Sequence, residues 1–554
     1  MTTLSRAFPD AAPGILGVVS VLVLTVTFCN LLRRLFSNAS LPTNLPWAGL
    51  GQRAGRLGKA RANLLSFFNL KDLLDEGYSN LTISVKYSKR DKTYVLPYYI
   101  NGPQVILPPS QIPWLLEQPD DVLNQEQVNR QFLQAEYAFM HANLVKDPVH
   151  PEIIHRELTK KINNFADDIV EEINASLEDN WGSDTEEWRE VKVYDTMLDV
   201  VARLSIRVLM GLPLCRNKVF LSICSNFIRQ VALAAAAISL FPDFLKPLVG
   251  PVFTLYDRVL YMRCRGFLMP VISERLDLLR DPDIAKTPED ATPPNNYVQW
   301  SIDHALAKSV IDPIELDPRV IASRFSVLAF AAIQSSVITL TNTLFDLAAS
   351  PNCISWLASM REEVIRETEG SGITAVGAGQ LGWTRNILSR MTLVDSALRE
   401  SLRLNGFIER GIMKMVVAPE GVTLPDGSHI PCGTKVGISG YSVHHDEANY
   451  PNAMQYDAFR FAHDESEDKK PQGLINTSEK FMGFSHGSHA CPGRFFATNQ
   501  LKIALGHIAL LYEIEPIPDR PVNKWFFGHI APPLMETLRV RRRKTQLSAE
   551  GICN

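Results

Sequence analysis

The chain has 554 residues, 46% of them hydrophobic and 21% charged, with a formal net charge of −4. This composition builds a folded protein with a large core and carries no basic excess for nucleic acid. The eight cysteines form no Cys-x-x-Cys pair, a usage that fits a reducing, cytosol-facing compartment rather than a disulfide framework.

The first element is an apolar run. Ala11 to Leu32 is 22 residues without a charge, followed directly by Arg33 and Arg34 and then Arg53, Arg56, Lys59 and Arg61. At a rise of about 1.5 Å per residue it spans a hydrocarbon core of about 30 Å. The basic residues after it predict an uncleaved anchor with the remainder cytosolic; a cleaved signal peptide would carry a shorter run with its basic residues in front. LPTNLPW (41–47) then reads as a stiff, proline-punctuated hinge. Gly49-Leu-Gly51-Gln-Arg-Ala54 satisfies the dinucleotide pattern, yet a linker precedes it where that pattern needs a strand, so no nucleotide site is assigned.

The middle third reads as amphipathic helices over 153–173, 196–211 and 256–280, with a proline-rich surface loop at 281–296. Residues 319–350 are apolar nearly all round and stop before Pro351, the pattern of a helix running through a core. The amphipathic helix 393–406 ends at Gly406, and alternating apolar runs come only later, around 413–439. Helices therefore dominate, with small sheets placed late. The apolar stretch 231–250 fits a substrate lid and packing core equally well.

Near the C-terminus, FSHGSHACPG (484–493) sets one cysteine among glycines and two histidines. Zinc on His486, His489 and Cys491 would need a fourth ligand that no nearby pair supplies, and a nucleophilic cysteine would need a positioned base. Ala497, Leu501, Ala504, Ile508 and Leu511 recur at helical spacing, so a buried helix begins just past Cys491. Its positive end stabilises a thiolate there, and Gly487 and Gly493 let the backbone approach something flat and bulky.

Phe484-x-x-Gly487-x-x-x-Cys491-x-Gly493 resembles the heme-binding loop of the cytochrome P-450 family, and HACPGRFFA (489–497) is similar to its membrane-bound fungal members. The resemblance implies a mainly α fold with small β-sheets, a triangular helical heme domain over 41–554 behind a transmembrane helix, with residues 1–40 as anchor and start of the hinge. The implied cofactor is heme b with Cys491 as axial iron ligand. Phe484 would pack beside the sulfur, His489 would partner a propionate, and Gly487 and Gly493 would shape the loop. Of four Glu-x-x-Arg pairs (Glu186/Arg189, Glu363/Arg366, Glu400/Arg403, Glu536/Arg539), only Glu400/Arg403 has the family's surroundings; with Arg460 of YDAFRF (456–461) it would form a structural triad. Ala331-Ala332-Ile333-Gln334-Ser335 occupies the oxygen-activation position, with Gln334 where the family places an acid. An amide cannot titrate, but Gln334 could orient a water and Ser335 could relay protons, unless the serine only bonds back to its own helix. The second propionate's arginine is left open between Arg130 and Arg156.

The resemblance implies a membrane-anchored monooxygenase of the endoplasmic reticulum, its catalytic domain facing the cytosol and touching membrane lipid. It would insert oxygen from O2 into a lipophilic small-molecule substrate of secondary metabolism, a terpenoid, polyketide or alkaloid. Electrons would come from a separate NADPH-dependent flavoprotein reductase. The alternatives are a heme-thiolate isomerase or dehydratase needing no external electrons, and a non-catalytic heme or zinc binder.

Overall fold

The computed structural model describes residues 41–50, 55–78, 91–100, 102–161, 165–281, 293–369, 383–407, 409–462, 472–526 and 528–544. The expected anchor at Ala11–Leu32, most of the loop 281–296 and the end of the dinucleotide-like pattern lie outside them. The chain divides into two compact units: Met1–Ala138, Ala232–Leu255 and Met413–Ile438 form the smaller, and Phe139–Val231, Tyr256–Ile412 and Ser439–Asn554 the larger.

The smaller unit holds helix α1 (Arg56–Tyr78) and a five-stranded sheet in the order Tyr94–Leu96, Gln104–Ile106, Lys435–Ile438, Ile412–Val416, Leu123–Asn124. The sheets were expected late in the chain; here early strands pair with late ones, Gln104–Ile106 running parallel to Lys435–Ile438. Strands of two or three residues are too short to display the period-2 alternation that betrays a strand. The 41–47 segment is likewise no free hinge. Leu45, Trp47 and Ala48 are buried, and the Val95 N–H donates to Pro46 O at 2.8 Å while Ala48 N–H donates to Val95 O at 3.0 Å.

The larger unit is helical. Its main helices are α2 (Ala166–Trp181), α3 (Val193–Leu209), α4 (Lys218–Ser239, ending in the smaller unit), α5 (Leu255–Arg280), α6 (Tyr297–Leu306), α7 (Pro318–Ala348), α8 (Cys353–Glu369), α9 (Thr392–Leu404) and α10 (Arg494–Leu511). Helices α3, α5, α7 and α9 lie close to their predicted bounds. The predicted 153–173 helix instead divides into a short turn His150–Ile153, a π segment Ile154–Leu158 and α2, which runs on to Trp181. A three-stranded antiparallel sheet (Arg189–Lys192, Thr537–Arg542, Tyr512–Ile514) and the hairpin Lys524–Phe526/His529–Ala531 complete the unit.

Helix α7 organises this core. Pro318 opens it and Asp317 caps it, accepting the Arg319 N–H at 2.7 Å. It packs against α3, α9 and α10. Both α4 and α7 are long and apolar enough to cross a membrane by composition, but α7 is apolar all round because it is enclosed by other helices. Near its start lies a buried ion pair. Arg324 donates to Glu315 through Nη1 at 2.6 Å and Nη2 at 2.8 Å, with side chains 0% and 2% exposed. The bidentate geometry offsets the desolvation of both charges. Glu315→Gln leaves the guanidinium uncompensated and should destabilise the larger unit by about 3 kcal/mol, read as a lower urea midpoint in far-UV circular dichroism.

Candidate active site

The loop from Phe481 to Gly493 joins a buried stretch to a buried helix but is itself accessible along most of its length. Phe481 and Met482 are buried, Gly487 and His489 are exposed, Cys491 is half-buried, and Phe496 is buried again. A tight turn opens it. The Ser485 N–H donates to Met482 O at 2.9 Å, and Ser485 takes φ 59°. The Cys491 N–H then donates to Phe484 O at 2.9 Å, and Ala490 N–H to Gly487 O at 3.1 Å. Cys491 and Phe484 are thereby fixed side by side. Gly487 has φ 84°, a conformation that a side chain would strain.

Helix α10 starts at Arg494 with Gly493 as its cap. The Cys491 sulfur accepts from the backbone N–H groups of Gly493 and Arg494, and the Arg494 guanidinium adds positive charge; these lower the thiol's pKa, but burial outweighs them and holds it above its usual value. The start of α10 thus favours the thiolate and burial favours the thiol, with burial the larger effect. A Cβ on Gly493 would stand 4.0 Å from the sulfur, in ordinary contact.

The two loop histidines differ in their settings. His486 Nδ1 pairs with Thr477 Oγ1 at 2.9 Å, and His489 lies exposed on the loop surface. Among the described residues no three His, Cys, Asp or Glu side chains converge to hold a metal ion. A lone thiol on an accessible, glycine-shaped loop fits a metal whose remaining ligands come with a prosthetic macrocycle, which is the demand heme makes.

Of the four Glu-x-x-Arg patterns, Glu400/Arg403 is the pair that closes into a buried ion pair. Arg403 donates to Glu400 Oε2 through Nε and to Oε1 through Nη2, both at 2.7 Å, with both side chains 0% exposed. Arg460 Nε adds a third bond to Oε1 at 2.8 Å, and its other nitrogens hold the Pro451, Asn452 and Gln455 carbonyls. The other patterns scatter. Arg366 pairs with Glu367 and Arg539 with Glu515, while Glu186 faces Lys544. Glu363 caps α9, accepting the Thr392, Leu393 and Val394 N–H groups.

The sequence pattern does not single out Arg399, one residue before Glu400. It is buried, donates to Gly473 O at 2.6 Å and Asn476 O at 2.7 Å, and lies 3.7 Å over the Phe481 ring and 4.7 Å over Phe461. Burial lowers its pKa to about 10, which still leaves it charged at neutral pH. Its signal in the sequence is a basic residue on the apolar side of an amphipathic helix.

On α7, the otherwise buried surface opens in mid-helix. Ala331 is exposed, and Val327, Phe330, Ala332, Gln334 and Ser335 are partly so, recurring at the spacing of one helical face. Gln334 Nε2 donates to Tyr194 Oη on α3 at 3.4 Å, whereas its Oε1 is a buried acceptor without a partner among the described residues. The Ser335 hydroxyl donates to Ala331 O at 3.1 Å, the back-bond available to any mid-helix serine. Arg130 lies in the last turn of the Gln125–Leu133 helix of the smaller unit. Arg156 is 50% exposed, 3.7 Å from Glu157.

Comparison with known proteins matches this arrangement. The cytochrome P450 family profile covers residues 119–534. Cytochrome P450 monooxygenase gloP of Glarea lozoyensis is 30% identical over 549 residues, covering 95% of this chain and 96% of its own. Cytochrome P450 monooxygenase 151 of Postia placenta is 35% identical over 433 residues, 77% of this chain and 82% of its own. The retinoic-acid-bound cyanobacterial CYP120A1 shares the fold with a TM-score of 0.57 at 16% identity, over 81% of this chain and 91% of that one. A mainly helical fold, a cysteine at a helix N-terminus and full-length relatives thus agree that the chain belongs to the cytochrome P450 family and is a P450 monooxygenase.

Proposed function

We propose that Cys491 would hold heme b through its sulfur and that the protein oxygenates a lipophilic small molecule of secondary metabolism. The observation that carries this reading is the Cys491 thiol: backbone N–H groups at the start of α10 point at it, and burial still keeps it protonated. Such a thiol gives up its proton when it meets a metal cation. Bound heme supplies dioxygen activation, which a thiolate ligand promotes by donating electron density.

The chain's own residues set the rest. Phe484 would pack beside the sulfur, Gly487 and Gly493 would leave room for the ring, and His489 would partner a propionate. The accessible face of α7 is lined by Val327, Phe330, Ala331 and Ala332, an apolar surface that favours a lipophilic substrate. Tyr194 accepts the amide N–H of Gln334, so the buried Oε1 would be left to accept a hydrogen bond from a water. Ser335, whose hydroxyl donates a hydrogen bond to Ala331 O, retains lone pairs that would orient a water. Two electrons come from a separate NADPH-dependent flavoprotein reductase.

We place the anchor in residues 1–40, with the catalytic remainder on the cytosolic face of the endoplasmic reticulum. Exposed apolar side chains support a second contact with lipid. On α1, Leu57 is 76% and Phe68 78% exposed; on the helix Lys246–Phe253, Leu248 is 71% and Val252 69% exposed. Relatives from Glarea lozoyensis and Postia placenta support the fungal character of the chain.

Cys491→Ser should remove the red-shifted ferrous–CO band of a thiolate-ligated heme together with NADPH-dependent product formation; a serine variant keeping both would overturn the assignment. Ser335→Ala should lower product formed per NADPH consumed by roughly tenfold and raise hydrogen peroxide release, with Gln334→Ala doing so less. Deleting residues 1–40 should make the protein extractable from microsomes by alkaline carbonate, while the full chain stays in the pellet.

A further inference from the structure

The loop that presents Cys491 is tied to the rest of the fold by a histidine that no part of the reaction uses. His444 ends the short helix Gly440–His444 and is 5% exposed. Its Nε2 accepts the Met482 N–H at 2.9 Å, so the neutral ring carries its proton on Nδ1. Its carbonyl accepts from Arg403 Nη1, the guanidinium already held by Glu400. Its ring stacks on Phe481 at 5.5 Å between centroids, tilted by 20°, and the Arg399 guanidinium also packs on Phe481. One residue therefore joins the Glu400/Arg403/Arg460 triad, through backbone and ring, to the peptide that begins the thiolate loop.

The connection continues without a gap. Met482 O accepts the Ser485 N–H, and Phe484 O accepts the Cys491 N–H. Close packing leaves Met482 little freedom to find another partner: a Cβ on Gly411 would stand 2.6 Å from its Sδ, and one on Gly483 2.7 Å from Leu402 Cδ2. A buried N–H without an acceptor is costly, so the loop depends on the imidazole nitrogen being unprotonated. Burial, then the neighbouring His445, Arg403 and Arg399, hold the His444 pKa well below its usual value. His445 itself points both ring nitrogens at carbonyls, of Tyr441 and Leu404.

We propose that His444 is a positioning residue for the thiolate ligand, its Nε2 fixing Met482 and through it the turn that sets Cys491 where it would hold the heme. The inference rests on Cys491 being that ligand. Loss of the acceptor lets the loop shift, so the sulfur leaves the iron while the helical core stays folded.

The test uses the full chain carrying heme, with His444→Phe and His444→Gln. Phenylalanine keeps a ring against Phe481 but has no acceptor; the glutamine Oε1 reaches about as far as Nε2 and restores one. The readout is the decay of the red-shifted ferrous–CO band at a fixed sub-denaturing urea concentration, beside far-UV circular dichroism of the same samples. His444→Phe should lose the band roughly fivefold faster or more at an unchanged circular-dichroism midpoint, and His444→Gln should decay at the parental rate. Equal decay for Phe and parent, or Gln no better than Phe, would overturn the role of His444. Should the Phe variant fail to accumulate, His444→Gln decides alone: parental decay supports the acceptor, accelerated decay refutes it. A parent protein lacking the band altogether would instead refute the ligand assignment, a different failure.

Discussion

A single carboxylate, Glu400, sits fully buried between two guanidinium groups, and much of what surrounds the thiolate loop is referenced to it. It takes three charge-assisted bonds of 2.7 to 2.8 Å from Arg403 and Arg460 and a longer contact from the Asp457 N–H at 3.4 Å. Taking three ionised groups out of water costs several kcal/mol each, and their mutual attraction roughly offsets that rather than adding net stability. What the arrangement contributes is definition. Arg460 spends its remaining donors on three carbonyls of the 451–455 turn, so a loop with little apolar surface acquires a fixed course.

Helix α9 extends the same logic along its length. Asp395 accepts the Leu474 N–H at 2.6 Å and meets Lys502 of α10 at 2.9 Å. Ser396 accepts the Phe461 N–H at 2.9 Å, Ala397 O accepts the Tyr456 hydroxyl at 3.0 Å, and Arg399 holds the Gly473 and Asn476 carbonyls. Ser401 donates to the buried Asp346 of α7 at 2.5 Å. A surface helix turns such a face to solvent. Here it is spent on the irregular segments 451–461 and 472–482, whose backbone groups have no ladder of their own and must be satisfied one by one. The loop carrying Cys491 then inherits its position from segments already pinned at several points, as a supporting shell does.

This division explains what could be read from the residues alone. Long apolar periodicity located α3, α5, α7, α9 and α10 closely, because burial of one face dictates the 3.6-residue repeat whatever the neighbours are. Around Cys491, two local features were legible: Gly487 stands at positive φ and a helix starts at Arg494. The early strands Tyr94–Leu96 and Gln104–Ile106 were not legible, since the sheet is completed by Lys435–Ile438, far downstream in the chain, and three residues show no pattern. Nor were His444, Arg399 and Tyr194. Each matters through a partner distant in sequence, and a buried histidine or arginine looks on paper like a surface one.

Helix α7 shows how far a local departure from a family pattern can be absorbed. Placing an amide where an acid is usual removes a titratable proton, but it also removes a charge that would have to be desolvated inside the core. Gln334 has its N–H side occupied by Tyr194, and its Oε1 is a buried acceptor with no partner among the described residues, a group whose hydrogen-bonding character does not change with pH. A carboxylic acid in the same place would act as donor or acceptor according to its protonation.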